Sequence, residues 1–141
     1  MMIVLDTNVI SEVLRPVPAP AVLNWLRSAR RSELWTSSIV VAELFSGVDL
    51  MPPGKRQQVL REKMEQMISV LFTGKVFTID LAAARAYGPI LAARQRMGRP
   101  IDEMDALIAA AALANGATLA TRNIADFEHC GIPLVNPWDA V

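Results

Sequence analysis

Asp6, Glu43 and Asp105 are acids set among apolar residues, and Asn123 and Asp126 follow in a late polar stretch. Asp6 ends the run Met2-Ile3-Val4-Leu5, which reads as a buried strand. Glu43 lies in "SSIVVAELFSGV", with Ile39 and Val40 one turn before it and Gly47 and Leu50 after it. A helix there sets its carboxylate on an apolar face. Asp105, in "PIDEMDALIAAAALANG", shares a face with Ile108, Ala109 and Ala112. In "ATLATRNIADFE" the chain leaves another predicted strand and carries Asn123 and Asp126 to the edge that Asp6 occupies.

Each residue alone has an ordinary use. Asp6 suits the N-cap of the following helix, and Asp105 falls at the third helical position behind an Asp102 cap, where an acid favours the dipole. Glu43 can pack its stem and hold its head in water, and Asn123 is a common turn former. The set points further. Carboxylates within about 5 Å of one another repel by roughly 3 kcal/mol per pair at an effective dielectric near 20. A fold that gathers them needs a cation, and no Lys or Arg adjoins Asp6, Glu43 or Asp105 in sequence. All-oxygen ligands select a hard divalent ion, Mg²⁺ or Mn²⁺. One cysteine, Cys130, and one histidine, His129, cannot make a usual zinc site. His129 reads as a loop residue.

These acids must be positioned by strands at Ile3–Leu5, 34–36, 75–79 ("KVFTI"), 117–121 ("ATLAT") and, at an edge, 134–135. Helical patterns fill the gaps. One begins at Pro20; another follows the candidate caps Ser37 and Ser38. A third places Leu60, Met64, Met67, Ile68 and Leu71 on one face, and the fourth and fifth start at Asp80 and Asp102. A kink is expected at Pro89 and a stop at Gly98. Strands alternating with helices predict an α/β fold with a parallel sheet covered on both faces. In such folds ligands gather at the carboxyl ends of the strands, near a topological switch point.

With 141 residues and no long linker, the chain is expected to form a single domain, 1–141. Its hydrophobic fraction of 52% and charged fraction of 20% suit a soluble globular protein. No apolar run is long enough to span a membrane, and the opening run is too short for a signal peptide. A lone cysteine excludes an internal disulfide framework, so a cytoplasmic location is expected. The formal net charge is zero, so nucleic-acid binding would depend on local basic patches.

With these residues in view, the sequence resembles the PIN domain, specifically the VapC-type toxins of bacterial toxin–antitoxin pairs. The matching segments are "IVLDTNVISE", "SSIVVAELFSGV", "RPIDEMDALIAAAA" and "LATRNIADFE", in family order and spacing over most of the chain. The opening segment, "LRPVPAP" and the late "NPW" are most similar to the FitB-like branch. The resemblance implies a three-layer α/β/α PIN-like sandwich with a short, mainly parallel sheet of about four to five strands. It implies a Mg²⁺- or Mn²⁺-dependent endoribonuclease, homodimeric and held inactive by a cognate antitoxin, with DNA contacted only through that antitoxin. Asp6, Glu43 and Asp105 match the family's first three acidic positions. The fourth, often aspartate, is Asn123 here, with Asp126 three residues on. Thr7 and Thr121 match hydroxyl positions beside the site. Water would cleave the RNA phosphodiester and leave a 5′-phosphate and a 3′-hydroxyl.

Basic residues cluster at Arg27-Arg30-Arg31, at Lys55-Arg56 with Arg61-Lys63, and at Arg94-Arg96-Arg99. The first two read as solvated helix faces. The third, just before "PIDEMD", is the best candidate for the substrate side; Arg122, beside Asn123, is another, with pairing to a structural acid as its alternative use. The Met- and Leu-rich helix after Lys55 reads mainly as core, while the resemblance allows Trp25, Leu26, Met64, Met67 and Leu71 to meet a partner. A phosphotransferase using Asp6 as nucleophile would carry a second aspartate where Asn8 stands, and no glycine-rich loop marks a nucleotide fold. An inactive PIN-fold interaction module remains the rival, because of Asn123.

Overall fold

The computed structural model describes residues 1–139. Five short strands form one sheet: β1 (Ile3–Leu5), β2 (Leu34–Ser37), β3 (Val76–Phe77), β4 (Thr118–Ala120) and β5 (Leu134–Val135). Their order is β3-β2-β1-β4-β5, and each neighbouring pair is parallel. The intervening α-helices are α1 (Thr7–Val13), α2 (Pro20–Ser28), α3 (Ser38–Asp49), α4 (Lys55–Leu71), α5 (Leu81–Arg96), α6 (Glu103–Ala114) and α7 (Ile124–Phe127). Successive β1 side chains point to opposite faces, yet Ile3, Val4 and Leu5 are all buried. Helices therefore cover both faces, as the α/β reading requires. Among the described residues no helix is long and apolar enough to cross a membrane.

Local chemistry explains the helix starts. The side chains of Ser37, Asp80 and Asp102 accept hydrogen bonds from the first-turn amides of α3, α5 and α6. Past the ends of α5 and α6, Gly98 (φ 71°) and Gly116 (φ 63°) take the left-handed conformation that closes a helix. Helix α5 runs on through Pro89, whose missing N–H removes one intrahelical bond. Ala106 and Ile108–Ala112 of α6 are buried nearly all round, so α6 is an interior helix and its small side chains let α5 pack closely. On α4, Met64 is buried, and Leu60, Met67, Ile68 and Leu71 are half-buried against the core.

Two strands are shorter than expected. Of the stretch 75–79 only Val76 and Phe77 pair as β3, an edge strand held by β2 alone. The expected 117–121 strand is trimmed to Thr118–Ala120: the Ala117 amide bonds back to Ala112 of α6, while Thr121 keeps its amide on Val135 and donates its hydroxyl to Asp6. The chain moves from β1 outward to β2 and β3, and later fills the other side with β4 and β5. The switch point thus lies between β1 and β4, where the amide of Asp6 donates to the carbonyl of Ala120 at 2.9 Å.

Candidate active site

Asp6 leaves the carboxyl end of β1 and is 5% exposed. Capping is among its duties: Oδ1 accepts from the Thr7 amide at 2.8 Å. Its other oxygen, Oδ2, accepts from the Thr121 hydroxyl at 2.8 Å and from Asn8 Nδ2 at 3.4 Å. The Thr7 hydroxyl donates to Glu43 Oε1 at 3.0 Å, so one threonine ties α1 to the acid on α3. The sequence-predicted Thr7 and Thr121 therefore hold the acids by hydrogen bonds, the part expected of groups behind a metal ligand.

Asp6, Glu43, Asp105 and Asn123 line one open cleft of about 480 Å³, together with Thr7, Asn8, Ser11 and Glu12. Arg15, Arg122 and Trp138 complete its walls. Asp126 is exposed and does not line the cleft, yet its charge reaches both Asp6 and Asp105. The amide of Asn123 donates to the Thr121 hydroxyl at 3.1 Å, and among the described residues its side chain makes no hydrogen bond.

The charges are strained in one direction. Burial, and then the neighbouring acids Asp6, Asp102, Asp126 and Glu43, push Asp105 from 3.8 to about 7. Burial also raises Asp6, against the lowering pull of Thr121 and Thr7. Glu43 is raised by burial first, with Thr7 pulling the other way and Asp6 and Asp102 adding repulsion. Among the described residues none of the three is ion-paired to Lys or Arg. Nor do the described residues hold three His, Cys, Asp or Glu groups in a ready-made metal cage. Carboxylate donors without an ion pair, and few enough to leave room for water, fit a hydrated Mg²⁺ or Mn²⁺, which keeps several waters and takes one or two carboxylates.

The expectation for Arg94, Arg96 and Arg99 is corrected. Arg94 is 4% exposed and turned inward. Its guanidinium donates to the carbonyls of Arg99 (2.7 Å), Asp126 (2.7 Å) and Glu128 (3.1 Å). Arg99 pairs with Glu128 at 3.2 Å, leaving Arg96 exposed on α5. The cluster is a tie between the end of α5 and the segment after β4, because one buried guanidinium can serve several carbonyls at once. Arg122 does line the cleft and lies over the Trp138 ring, 4.9 Å from its centroid. His129 is exposed in the loop after α7, as expected.

Sequence reasoning missed Asn8 and Trp138 as cleft residues. Asn8 carried a usable signal, since it lies in the first turn of the helix that Asp6 caps. Trp138 had only the "NPW" match.

A PIN domain family model matches residues 3–131. The chain is 45% identical to the plasmid stability protein StbB of Pseudomonas syringae pv. tomato, over 99% of this chain and 100% of that protein. It is 41% identical to the VapC ribonuclease Y4jK of Sinorhizobium fredii, over 98% and 99%. With the toxin FitB of Neisseria gonorrhoeae the identity is 42%, over 97% and 99%. The solved structure of FitAB bound to an IR36 DNA fragment is similar at a TM-score of 0.92 and 41% identity, covering 99% of this chain and 98% of that one. On the matched family model, the full-length relatives and the shared parallel sheet, the chain belongs to the PIN-domain family.

Proposed function

We propose that this chain is the toxin of a toxin–antitoxin pair, a Mg²⁺- or Mn²⁺-dependent endoribonuclease that hydrolyses RNA phosphodiesters. The observation that carries this reading is the convergence of Asp6, Glu43, Asp105 and Asn123 on one cleft whose carboxylates lack a cationic partner. Full-length kinship with a VapC ribonuclease and with toxin FitB supports the substrate class and the toxin role.

Asp6 and Asp105 would hold the ion, which when bound polarises a phosphoryl oxygen and acidifies its water. Asp105 must first give up the proton it keeps near neutral pH. Glu43, steadied by the Thr7 hydroxyl, takes a proton from the attacking water; its raised pKa brings it closer to the working pH. Thr121 and the Thr7 amide keep Asp6 oriented and favour its ionised form. The free amide side chain of Asn123 offers a donor and an acceptor at the fourth position. Asp126, at the rim, deepens the negative potential without lining the cleft. Attack by water leaves a 5′-phosphate and a 3′-hydroxyl.

The cognate antitoxin has a path to this site. A groove of about 600 Å³ between the end of α1 and α4 is floored by Leu14, Pro16, Val59 and Leu60, with Lys55, Arg56 and Lys63 at its rim. It shares Ser11 and Arg15 with the acidic cleft. Leu14 and Lys63 also line a further hollow beside Met67, Val70 and Leu71. An apolar floor with a basic rim suits an antitoxin segment of apolar side chains flanked by acids. Homodimerisation, and DNA contact through the antitoxin rather than by this neutral chain, complete the proposal.

The reading is tested by cleavage of a panel of tRNAs and structured RNAs by antitoxin-free protein, with Mg²⁺, Mn²⁺ or EDTA and beside Asp6→Asn. Cuts that need metal and vanish in the variant are expected. Asparagine at position 123 favours a second reading, an inactive PIN-fold interaction module. Antitoxin binding without cleavage by the wild-type protein would establish that one instead.

A further inference from the structure

The same acids that suit a cation oppose the polymer to be cut, because RNA carries a negative charge at each phosphate. Two basic side chains line the cleft, Arg15 and Arg122. Arg15 is already engaged, its Nη1 3.3 Å from Oε1 of the buried Glu12. Arg122 is exposed, and among the described residues its guanidinium makes no ion pair or hydrogen bond. It rests on the Trp138 ring instead, 4.9 Å from the centroid.

A cation over a ring makes no hydrogen bond to it, so the N–H donors of Arg122 are left for a two-pronged bond to a phosphate. The backbone that carries Arg122 is also fixed to the site. The Arg122 amide donates to Asn8 Oδ1 at 3.2 Å, and Asn8 Nδ2 reaches both Asp6 Oδ2 and the Thr121 hydroxyl at 3.4 Å. Trp138 is fixed in turn by its amide, which donates to Asn136 Oδ1 at 2.9 Å. One short network thus sets a free guanidinium edge beside Asp6 and Asn123.

We infer that Arg122, braced on Trp138, is the RNA-positioning residue of the cleft and receives a backbone phosphate. This rests on the ribonuclease reading. Lysine at 122 would keep the charge but lose both the flat stacking surface and the fork of donors.

The test compares wild type with Arg122→Ala, Arg122→Lys and Trp138→Leu, all checked for unchanged folding by circular dichroism. Binding of a fluorescein-labelled RNA oligonucleotide of mixed sequence is measured in EDTA across a salt series. Metal-dependent cleavage of bulk tRNA is followed in parallel. Arg122→Ala is expected to bind about tenfold more weakly, and its log K against log salt should be shallower by about 0.7. In cleavage, KM should rise more than kcat falls. Arg122→Lys should regain the salt slope but not the affinity, and Trp138→Leu should lose roughly two- to fivefold. Wild-type affinity and slope in Arg122→Ala, while the wild-type protein cleaves tRNA, would overturn the inference and leave the nuclease standing. Weakened antitoxin binding with unchanged RNA binding would also overturn it, assigning the cation to the protein partner. If wild type neither bound nor cut RNA with either metal, both readings would fall together.

Discussion

Asp105 holds the largest share of the cleft's electrostatic strain, and its position explains why. It sits on the first turn of α6, where Asp102 already supplies the cap by accepting from the Met104 and Asp105 amides. A third acid after Asp102 and Glu103, lining the cleft with Asp6 and Glu43, is more than helix capping needs. With a folded value of about 7 against an ordinary 3.8, the unfolded chain ionises first as pH rises. Asp105 therefore costs nothing below about pH 4, and lowers stability progressively up to about pH 7. Because Asp105 is half-exposed, solvent screening holds that loss to the order of 1 kcal/mol. In EDTA, thermal melts should show the metal-free protein losing stability between about pH 4 and pH 7, and Asp105→Asn should flatten that dependence. Thr7 governs the other titrating acid. Its hydroxyl bond lowers Glu43, so Thr7→Val should move the acidic limb of the cleavage pH profile to higher pH and reduce kcat about tenfold. An unchanged profile would remove Glu43 from the role of base.

Among the elements, the loop joining β4 to β5 depends on one buried side chain from a different helix. Arg94 of α5 donates to carbonyls of Asp126 and Glu128, which lie 32 and 34 positions away. Arg94→Met would remove the guanidinium from both carbonyls and leave Glu128 only the weak Cys130 thiol, and denaturant unfolding should register a loss of about 3 kcal/mol. The same residue marks where sequence reasoning stopped. An arginine in a basic run at a helix end looks like surface, and nothing local reveals carbonyls brought in from a distant loop. The strand at Ile3–Leu5 and the orientation of Glu43 were legible because both depend on near neighbours: an unbroken apolar run, and apolar residues one turn either side. Caps at Ser37, Asp80 and Asp102 were legible for the same reason. The β3 boundary was not, since an edge strand ends where its single partner ends. The bond from Asn8 to the Arg122 amide spans 114 positions and exists only once β1 and β4 lie side by side.

At the scale of the whole molecule, the order β3-β2-β1-β4-β5 creates one switch point, and the acids collect there because α1, α3 and α6 all begin along the same edge of the sheet. Formal neutrality overall conceals this arrangement, with Asp6, Glu12, Glu43 and Asp105 gathered in the cleft beside Arg15 and Arg122, and Lys55, Arg56 and Lys63 on the groove next to it. On the proposed reading the two features serve opposite partners, a cation at the acids and an antitoxin along the groove. Titration of Mn²⁺ into antitoxin-free protein by calorimetry, beside Asp6→Asn and Asp105→Asn, tests the central claim most directly. The account predicts saturable binding by the wild-type protein that tightens as pH rises through about 7 and is lost or strongly weakened in both variants. Equal binding by wild type and variants, or none by any of them, would contradict it.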